Sequence, residues 1–247
     1  MRRMLRGVYE AASGMLALQH QEAVLAGNLA NAGTPGYLAE EPTFATTLAL
    51  SIQSHPGGPP VGPLAFGVAD ATDNLSTAPS QLTVTGRPLD IALGSNVFFR
   101  VATPTGTGYA RDGALSVNAQ GYLVTPEGYL VLGSNGAPIQ VGSAQGVTIT
   151  GSGQVQRGGQ VIGSLALFTA PATGMLPGAT GLYVPKAGTV PAPGGTVTPG
   201  ALALSNVDQA VAMADVVQTV GLYQADEEAA HVQAQAFANL LATGVQP

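Results

Sequence analysis

The sequence predicts a mainly β protein with α-helical termini, in which a Gly-rich antiparallel β domain is flanked by N- and C-terminal amphipathic helices. Two patterns predict this class: apolar residues recur three and four positions apart at both ends, and short apolar runs alternate with turn sequences in the middle. The composition agrees, because 34 of the 247 residues are Gly, 18 are Pro and only 5% are aromatic. Such a composition is typical of many short strands joined by tight turns.

The N-terminal helix is predicted by a narrow apolar seam. Six of its eight positions are apolar, and the polar pair Gln19 and Glu22 interrupts it. The Gly-Thr-Pro-Gly run at residues 33–36 ends the helix, because glycine and proline do not continue one. The seam consists of Leu5, Val8, Ala12, Met15, Gln19, Glu22, Ala26 and Leu29.

The C-terminal helix repeats this design over about four heptads. Only Glu227 breaks its seam, Ser205 or Asn206 is expected to cap the start, and Gly244 and Pro247 mark the stop. We expect the two helices to pack in a coiled-coil-like manner. The seam consists of Met213, Val216, Val220, Tyr223, Glu227, Ala230, Ala234, Phe237 and Leu241.

The chain is therefore predicted to have five parts. Residues 1–35 and 204–247 are the terminal polymerisation helices, and residues 81–187 form a β-rich core domain with turns such as Pro126-Glu127-Gly128. Residues 36–80 and 188–203, rich in Pro, Gly, Thr and Ser, are expected to be extended, irregular connectors.

Charge and cysteine content exclude several classes of function. Only 9% of the residues are charged and the formal net charge is -6, whereas a nucleic-acid groove binder needs a basic face. The absence of Cys excludes disulfides, thiolate catalysis and Cys-based zinc sites. Glu10, Gln19 and Glu22 interrupt the apolar stretch that a cleavable secretory signal needs, and no run reaches transmembrane length.

No catalytic, cofactor or metal site is predicted. The three His residues, His20, His55 and His231, belong to no recognisable site, and the Glu227/His231 pair is better interpreted as an exposed helix pair than as metal ligands. The Gly-Ser-Gly run at residues 151–153 lacks the third glycine of a dinucleotide fingerprint.

A carboxylate pair is the remaining catalytic candidate. Asp90, Asp112 and Glu127 each stand near a predicted strand or turn, where solvation at the surface accounts for them. We expect no enzyme activity and no small-molecule substrate.

The periodicity of the helical seams, taken by itself, favours two ordinary interpretations. The helices pack inside one globular domain, or they form a simple dimeric coiled coil.

Sequence motifs along nearly the whole chain favour a third interpretation, because they resemble the flagellar basal-body rod and hook family in the family's order. The most specific is Asn-Leu-Ala-Asn-Ala-Gly-Thr-Pro-Gly-Tyr at residues 28–37. The chain departs from the family pattern at Gly27, at Val97 and at residues 221–224. The other motifs are Tyr-Glu-Ala-Ala-Ser-Gly-Met at 9–15, Thr-Gly-Arg-Pro-Leu-Asp-Ile-Ala at 85–92, Phe-Phe at 98–99, Tyr-Ala-Arg-Asp-Gly at 109–113 and Ser-Asn-Val-Asp at 205–208.

The resemblance implies a structural subunit of the proximal or distal rod. It implies export by the flagellar type III apparatus without a cleaved signal peptide, and assembly outside the inner membrane with copies of itself and with other rod and hook subunits. In that family the terminal helices form the inner layer of a helical tube, which would cover the two seams.

The expected assembly interface combines the seams with the family motifs. Asn28 and Asn31 are expected to make polar contacts between packed subunits. The interface consists of Leu5, Val8, Met15, Asn28, Leu29, Asn31, Pro35, Tyr37, Asn206, Val207, Met213, Val216, Val220, Tyr223, Phe237 and Leu241.

Two alternatives belong to other classes of protein. A secreted β-rich hydrolase of cell-wall polysaccharide would share the Gly-rich strands and the acidic balance, but it leaves the helices unexplained. A viral tail or adhesin fibre subunit would share the structural logic of a self-assembling chain.

Overall fold

The structure is a computed structural model that describes residues 2–53, 60–104, 106–178 and 181–243. It confirms a mainly β protein with a helix at each end and antiparallel sheets between them. The chain divides into two compact units. The first combines Met1–Leu29, Pro42–Asp73 and Gln209–Pro247, and the second combines Ala30–Glu41 and Asn74–Asp208.

The first unit is built from two long helices and two long strands. Helix α1 spans Arg2–Ala30 and helix α2 spans Gln209–Thr243, and neither is apolar enough over its described length to span a membrane. Strand β1 (Glu40–Gln53) pairs with strand β2 (Pro60–Leu75).

Both strands lie where the sequence predicts an irregular connector, so the prediction of irregular chain is wrong for most of residues 36–80. The reason is that apolar residues alternate with other residues in both segments, a period of two that is typical of strands. The Pro-Gly signals dominated the interpretation of this segment, and the central ones, with His55, lie outside the described residues. The alternating residues are Phe44, Leu48, Leu50 and Ile52 in β1, and Leu64, Phe66 and Val68 in β2.

Helix α2 begins later than predicted. The sequence indicates a start near residue 204, with Ser205 or Asn206 as the cap, whereas the helix begins at Gln209. The backbone N–H of Val207 donates to Ser205 Oγ in a short turn instead, and the Asn206 side chain has other partners. The helix ends at Thr243, next to the predicted stop at Gly244.

Sixteen short strands lie in the described part of the second unit. They are β3 (Leu82–Val84), β4 (Ile91–Leu93), β5 (Val97–Thr103), β6 (Gly106–Ala110), β7 (Ser116–Val117), β8 (Leu123–Val124), β9 (Leu130–Val131), β10 (Val147–Ile149), β11 (Gln154–Arg157), β12 (Gln160–Ser164), β13 (Leu167–Thr169), β14 (Met175–Pro177), β15 (Leu182–Pro185), β16 (Ala192–Pro193), β17 (Val197–Pro199) and β18 (Ala201–Ala203).

The largest sheet of this unit runs in the order β14-β15-β6-β5-β9-β8-β7, and β13 joins it by pairing with both β5 and β16. A three-stranded sheet has the order β10-β11-β12. Strand β5 is the centre of the large sheet, because it pairs with β6, β9 and β13. Its residues Phe98, Phe99 and Val101 are fully buried.

The predicted connector at residues 188–203 also contains strands. Strand β17 pairs with β4 and β18 pairs with β3, so the chain leading to α2 is hydrogen-bonded to the start of the β domain. The apolar residues Val197, Ala201 and Ala203 are buried there. Short runs of small residues between glycines and prolines are a weak strand signal, which is why the sequence indicates a loop.

Gly113 occupies one of the tightest positions in the second unit. Its carbonyl accepts the N–H of Ile91, and a Cβ added at Gly113 would overlap the carbonyl oxygen of Ile91. Glycine is required at this position because two backbone segments touch.

We expect Gly113→Ala to lower the free energy of unfolding by about 2–4 kcal/mol, because the new methyl group forces the two segments apart. Chemical denaturation measures this loss. Gly151→Ala is the control, since its Cβ would lie 3.5 Å from the nearest described atom, the carbonyl oxygen of Val197. Equal stability of both variants and the parent would contradict the close approach.

Candidate assembly interface

The two terminal helices run antiparallel and touch each other. Gln19 Nε2 on α1 donates to the Tyr223 hydroxyl on α2 at 3.2 Å. Five residues earlier on α1, a Cβ added at Gly14 would lie 3.0 Å from Asp226 Oδ2 on α2. The contacts move towards the N-terminus of α1 as they move towards the C-terminus of α2, so the helices point in opposite directions.

The buried positions between the helices are few and mostly small. Val24 and Asn28 are the buried residues of α1 whose side chains are described, and Ala212 and Thr219 are the buried residues of α2. Ala212 and Thr219 are seven residues apart, the spacing of one heptad, and both lie on the same face of α2. Partly buried residues on the same face are Asp215, Val216, Tyr223, Asp226 and Ala230.

The buried face of α2 is displaced by one residue from part of the predicted seam. Val216, Tyr223 and Ala230 lie on it, whereas Met213 is 55% exposed and Glu227 is exposed. Ala212 and Asp226 occupy the face where the sequence predicts Met213 and Glu227. The smaller alanine lets the helices approach, because small residues at a contact permit close backbones.

The opposite face of α2 carries apolar residues in contact with solvent. Met213 is 55% exposed, Val217 is 73% exposed and Val232 is 55% exposed. Positions 213 and 217 are one turn apart and therefore adjoin on the helix surface. On α1, Leu16 is 67% exposed. Contact with α1 thus covers a face of α2 that is made of small, polar and a few apolar residues, and it leaves an apolar face exposed among the described residues.

The predicted interface residues fall into four groups. Asn28 and Tyr37 are buried, Met213 is exposed, and Leu5, Val8, Phe237 and Leu241 have side chains outside the described set. Their role in assembly stays a prediction. The partly buried group consists of Met15, Leu29, Asn31, Pro35, Asn206, Val207, Val216, Val220 and Tyr223.

In the second unit, the side chain of Asn206 joins the three chain segments that connect to the helices and to β1 and β2. Its Oδ1 accepts the N–H of Ala39 at 2.6 Å, and its Nδ2 donates to the carbonyl oxygens of Ala78 at 3.1 Å and Ser76 at 3.5 Å. The Asn206 N–H also donates to the carbonyl of Tyr37 at 3.3 Å. We name this network, with Gly36 and Arg111, the junction.

Arg111 is the second centre of the junction. Its side chain is almost completely buried, and its Nη1 lies 2.8 Å from the carbonyl oxygens of Gly94 and Ser95 and 2.9 Å from that of Val97. Its Nε donates to the carbonyl oxygen of Gly36 at 3.3 Å. The guanidinium therefore binds four backbone oxygens and holds the segment after α1 against the loop before β5.

Burial lowers the pKa of Arg111 to about 10, and the nearby Tyr183 acts in the opposite direction. The guanidinium still carries its charge at neutral pH. Its ring neighbour is Phe98, whose centroid lies 5.2 Å from the guanidinium carbon, an arrangement that favours a cation. A buried guanidinium with this many acceptors favours a single geometry. Loss of any one acceptor would leave a buried N–H group without a hydrogen bond, which costs free energy.

Gly36 fits the junction because it lacks a side chain. Its φ is +72°, and an added Cβ would overlap the carbonyl of Arg111. The Gly36 N–H donates to the Ala203 carbonyl at 2.7 Å. Within the Asn-Leu-Ala-Asn-Ala-Gly-Thr-Pro-Gly-Tyr motif, this glycine thus serves contacts inside the chain.

A small apolar cluster supports the same segments. Leu38, which precedes β1, and Leu75, the last residue of β2, are buried with Phe98, Met175 and Tyr183. The Tyr183 hydroxyl accepts the Leu38 N–H at 3.0 Å, and its ring meets Phe98 edge-on with centroids 5.4 Å apart. Burial raises the pKa of Tyr183 to about 12, so the hydroxyl stays neutral at physiological pH.

The acidic candidates have structural surroundings. The side chain of Asp90 is fully buried, 3.6 Å from Arg87 Nε, so it cannot reach a substrate from solution. Asp112 Oδ1 accepts the Ala114 N–H at 2.9 Å. Among the described residues, no group of three His, Asp or Glu side chains is arranged to hold a metal ion.

Sequence reasoning missed the roles of Arg111 and Tyr183. Arg111 stands in the Tyr-Ala-Arg-Asp-Gly motif, between β6 and Asp112, and the neighbouring residues give no apolar pattern that indicates its burial. Its carbonyl partners come from residues 36 and 94–97, which periodicity cannot bring together.

Comparison with known proteins shows that the sequence of this chain is similar to those of flagellar proteins. A sequence profile described as the Flagellar hook protein FlgE/F/G D1 domain matches residues 92–157. The flagellar basal-body rod protein FlgG of Bacillus subtilis is 31% identical over 230 residues, which cover 83% of this chain and 86% of that protein.

Two rhizobial relatives are similar over a shorter stretch. The flagellar basal-body rod proteins FlgF of Mesorhizobium japonicum and Rhizobium meliloti are 33% and 34% identical over 166 and 168 residues. These matches cover 67% and 68% of this chain, but only 65% and 66% of the two relatives, just under two thirds of their length.

We expect Asn206→Ala to loosen the junction, because the Ala39 N–H and the Ala78 carbonyl lose their partner. The free energy of unfolding should fall by about 1–3 kcal/mol. Amide hydrogen exchange should accelerate at Ala39 in particular. The control is Asn135→Ala, which removes only a local turn bond to the Ala137 N–H. Unchanged exchange at Ala39 would show that Asn206 does not hold this segment.

We expect the stability of the second unit to depend on the ionisation of Asp112. Burial raises the pKa of Asp112 to about 6, and the like charges of Glu127 and Asp90 add to this, against a hydrogen bond from Ala114. Between pH 4 and 6 the folded chain then binds more protons than the unfolded chain, so the free energy of unfolding falls as the pH rises through this range.

Asp112→Asn keeps the Oδ1 acceptor and removes the charge. The difference in unfolding free energy between variant and parent should therefore increase from pH 4 to pH 7, as measured by denaturant titrations. Glu41→Gln, which removes an exposed carboxylate, controls for net charge. Parallel pH profiles of Asp112→Asn and the parent would contradict the prediction.

Proposed function

Since the chain belongs to the flagellar basal-body rod protein family, we propose that it is a structural subunit of the rod that self-assembles through its terminal helices. The assembly is a helical tube that acts as a drive shaft. The observation that carries this proposal is the open apolar face of α2, centred on Val217.

The composition of α2 supports burial by other subunits. Its charged side chains are Asp215, Asp226, Glu227 and Glu228, and it contains no Lys or Arg over 35 residues. A helix of this length extends over about 50 Å. A helix with apolar residues on opposite faces is suited to burial on both, and α1 covers only one.

The contact between α1 and α2 leaves dissimilar apolar surfaces of the helix pair available for contacts with other subunits. The pair presents Leu16 on α1 and Met213 and Val217 on α2, which differ in sequence, so a contact between unlike faces is possible. Unlike faces that meet without closing a ring generate an open helical filament. This geometry is what a tubular shaft requires.

The thermodynamics also favour association. Burying a Val or Leu side chain fully contributes about 1.5–3 kcal/mol, and the exposed positions of α2 offer several such gains per subunit. Few charges oppose the contact, because the chain has only 9% charged residues. The packing of the two helices in the tube is proposed to be coiled-coil-like.

The partners are proposed from the same family membership. Copies of this chain and other rod or hook subunits would cover the helices, and the flagellar type III apparatus would export the chain without a cleaved signal peptide. The mature position would be the basal body outside the inner membrane.

The alternatives receive less support. A polysaccharide hydrolase needs two carboxylates facing a cleft, and Asp90 is enclosed by protein. A viral tail or adhesin fibre subunit would share the open helix face, but the relatives described above are flagellar.

We expect Val217→Asp to prevent self-association and rod formation, because the carboxylate would have to be buried in the contact between subunits. Since Val217 is 73% exposed in the single chain, the variant should keep the parent's unfolding free energy within about 0.5 kcal/mol. Sedimentation measures association, and electron microscopy of basal bodies with a motility assay measures rod formation.

Val190→Asp is the matched control. Val190 is 87% exposed but lies in the second unit, outside the helices, so the same chemical change should leave association intact. Normal rods with Val217→Asp, or equal loss in both variants, would refute the role of the α2 face.

A further inference from the structure

Arg100 is the one cationic side chain of the described second unit that has neither a hydrogen bond nor an ion pair with protein. Arg87 contacts a carboxylate, Arg111 and Arg157 donate to backbone carbonyls, and Lys186 donates to an amide oxygen. The Nε of Arg100 is buried and lacks an acceptor. A guanidinium offers five donors, and no acceptor of the described chain occupies the four on the Nη atoms of Arg100, so the side chain can still bind an anion through them.

The surroundings of Arg100 form a cleft. The cleft has a volume of about 400 Å³, and Ser134, Ser152 and the loop at Gly194 line it. The guanidinium carbon lies 4.5 Å above the centre of the Phe168 ring, which forms a flat support for it. Stacking on an aromatic ring restricts the guanidinium and leaves its edge free for an acceptor.

A carboxylate is the ligand that matches this site. A planar guanidinium binds a carboxylate through two parallel hydrogen bonds, and partial burial strengthens such a pair relative to one in water. Ser134 and Ser152 also line the cleft, and the Ser152 hydroxyl shares a hydrogen bond with the Thr150 hydroxyl at 3.0 Å. We propose that the Arg100 cleft binds the side-chain carboxylate of Glu127 from a second copy of this chain, a contact that rests on the proposed self-assembly.

Glu127 suits this role because of its position. It is exposed in the turn between β8 and β9, and no ion pair joins it to any described residue. The turn is well ordered by bonds from the Gly128 N–H to the Thr125 carbonyl and from the Tyr129 N–H to the Thr125 hydroxyl. The carboxylate is therefore presented on a short, rigid projection.

The charge around Glu127 also calls for an external cation. The negative charge of Glu127 is one of the causes that raise the pKa of Asp112, so the two carboxylates lie near enough to repel each other. A guanidinium from a neighbouring copy would relieve this repulsion. An acidic projection at one place on the domain and a cationic cleft at another can meet in a head-to-tail contact, which extends into a filament when the rotation between copies does not close a ring.

Charge reversal in the full-length chain tests the pairing. Arg100→Glu and Glu127→Arg should each weaken self-association by about tenfold or more, and the double variant should recover most of the loss. Glu41→Arg in the Arg100→Glu background is the control for net charge and should not rescue. Rescue by Glu41→Arg, or no rescue by Glu127→Arg, would overturn the assignment of Glu127.

Engineered cysteines give an independent test. The chain contains no Cys, so mixing Arg100→Cys and Glu127→Cys chains with a bifunctional maleimide as long as the two replaced side chains together reports the proximity of these positions. A heterodimer is expected, whereas Arg100→Cys mixed with Glu41→Cys should yield little. If the parent chain stays monomeric, the proposed function fails together with this contact. If the parent associates and Arg100→Glu associates equally well, only the contact fails.

Discussion

The buried guanidinium of Arg111 is the interaction on which the second unit depends most. It binds carbonyl oxygens from the segment after α1 and from the loop before β5, segments that are far apart in sequence. Hydrophobic burial alone is non-directional and would tolerate several arrangements of these segments. A buried cation tolerates only those in which its donors find acceptors, so Arg111 specifies the path of the chain as it leaves the first helix.

The contact between the two terminal helices is stabilised in a different way. Their mutual contact rests on small or polar residues such as Gly14, Ala212 and Thr219, whereas the larger apolar side chains of α2, Met213 and Val217, face solvent. A helix pair of this kind is weakly stabilised on its own, because burying small side chains removes little apolar area from water. The same arrangement leaves the larger apolar side chains of α2 in contact with solvent, where they are available for the proposed self-assembly.

The sequence predicts the element types well where a pattern is long. The three-four alternation predicts both helices, and the turn predicted at Pro126-Glu127-Gly128 joins the paired strands β8 and β9, where the Gly128 N–H donates to the Thr125 carbonyl. The predicted inward face of α2 is wrong at Met213 and Glu227, because a helix with apolar residues on several sides has no unique seam. The strands at 192–203 and the partners of Arg111 depend on contacts between distant segments, which no local pattern contains.

At the junction, Asn206 supplies directional bonds that an apolar residue would not. Three segments that belong to different parts of the sequence have to meet in one register, and an asparagine amide supplies an acceptor and two donors in a fixed plane. Its bonds to Ala39 and Ala78 are possible in one arrangement, whereas a leucine would pack in several. Directional bonds are therefore the more effective means of ensuring a single geometry where these three segments meet.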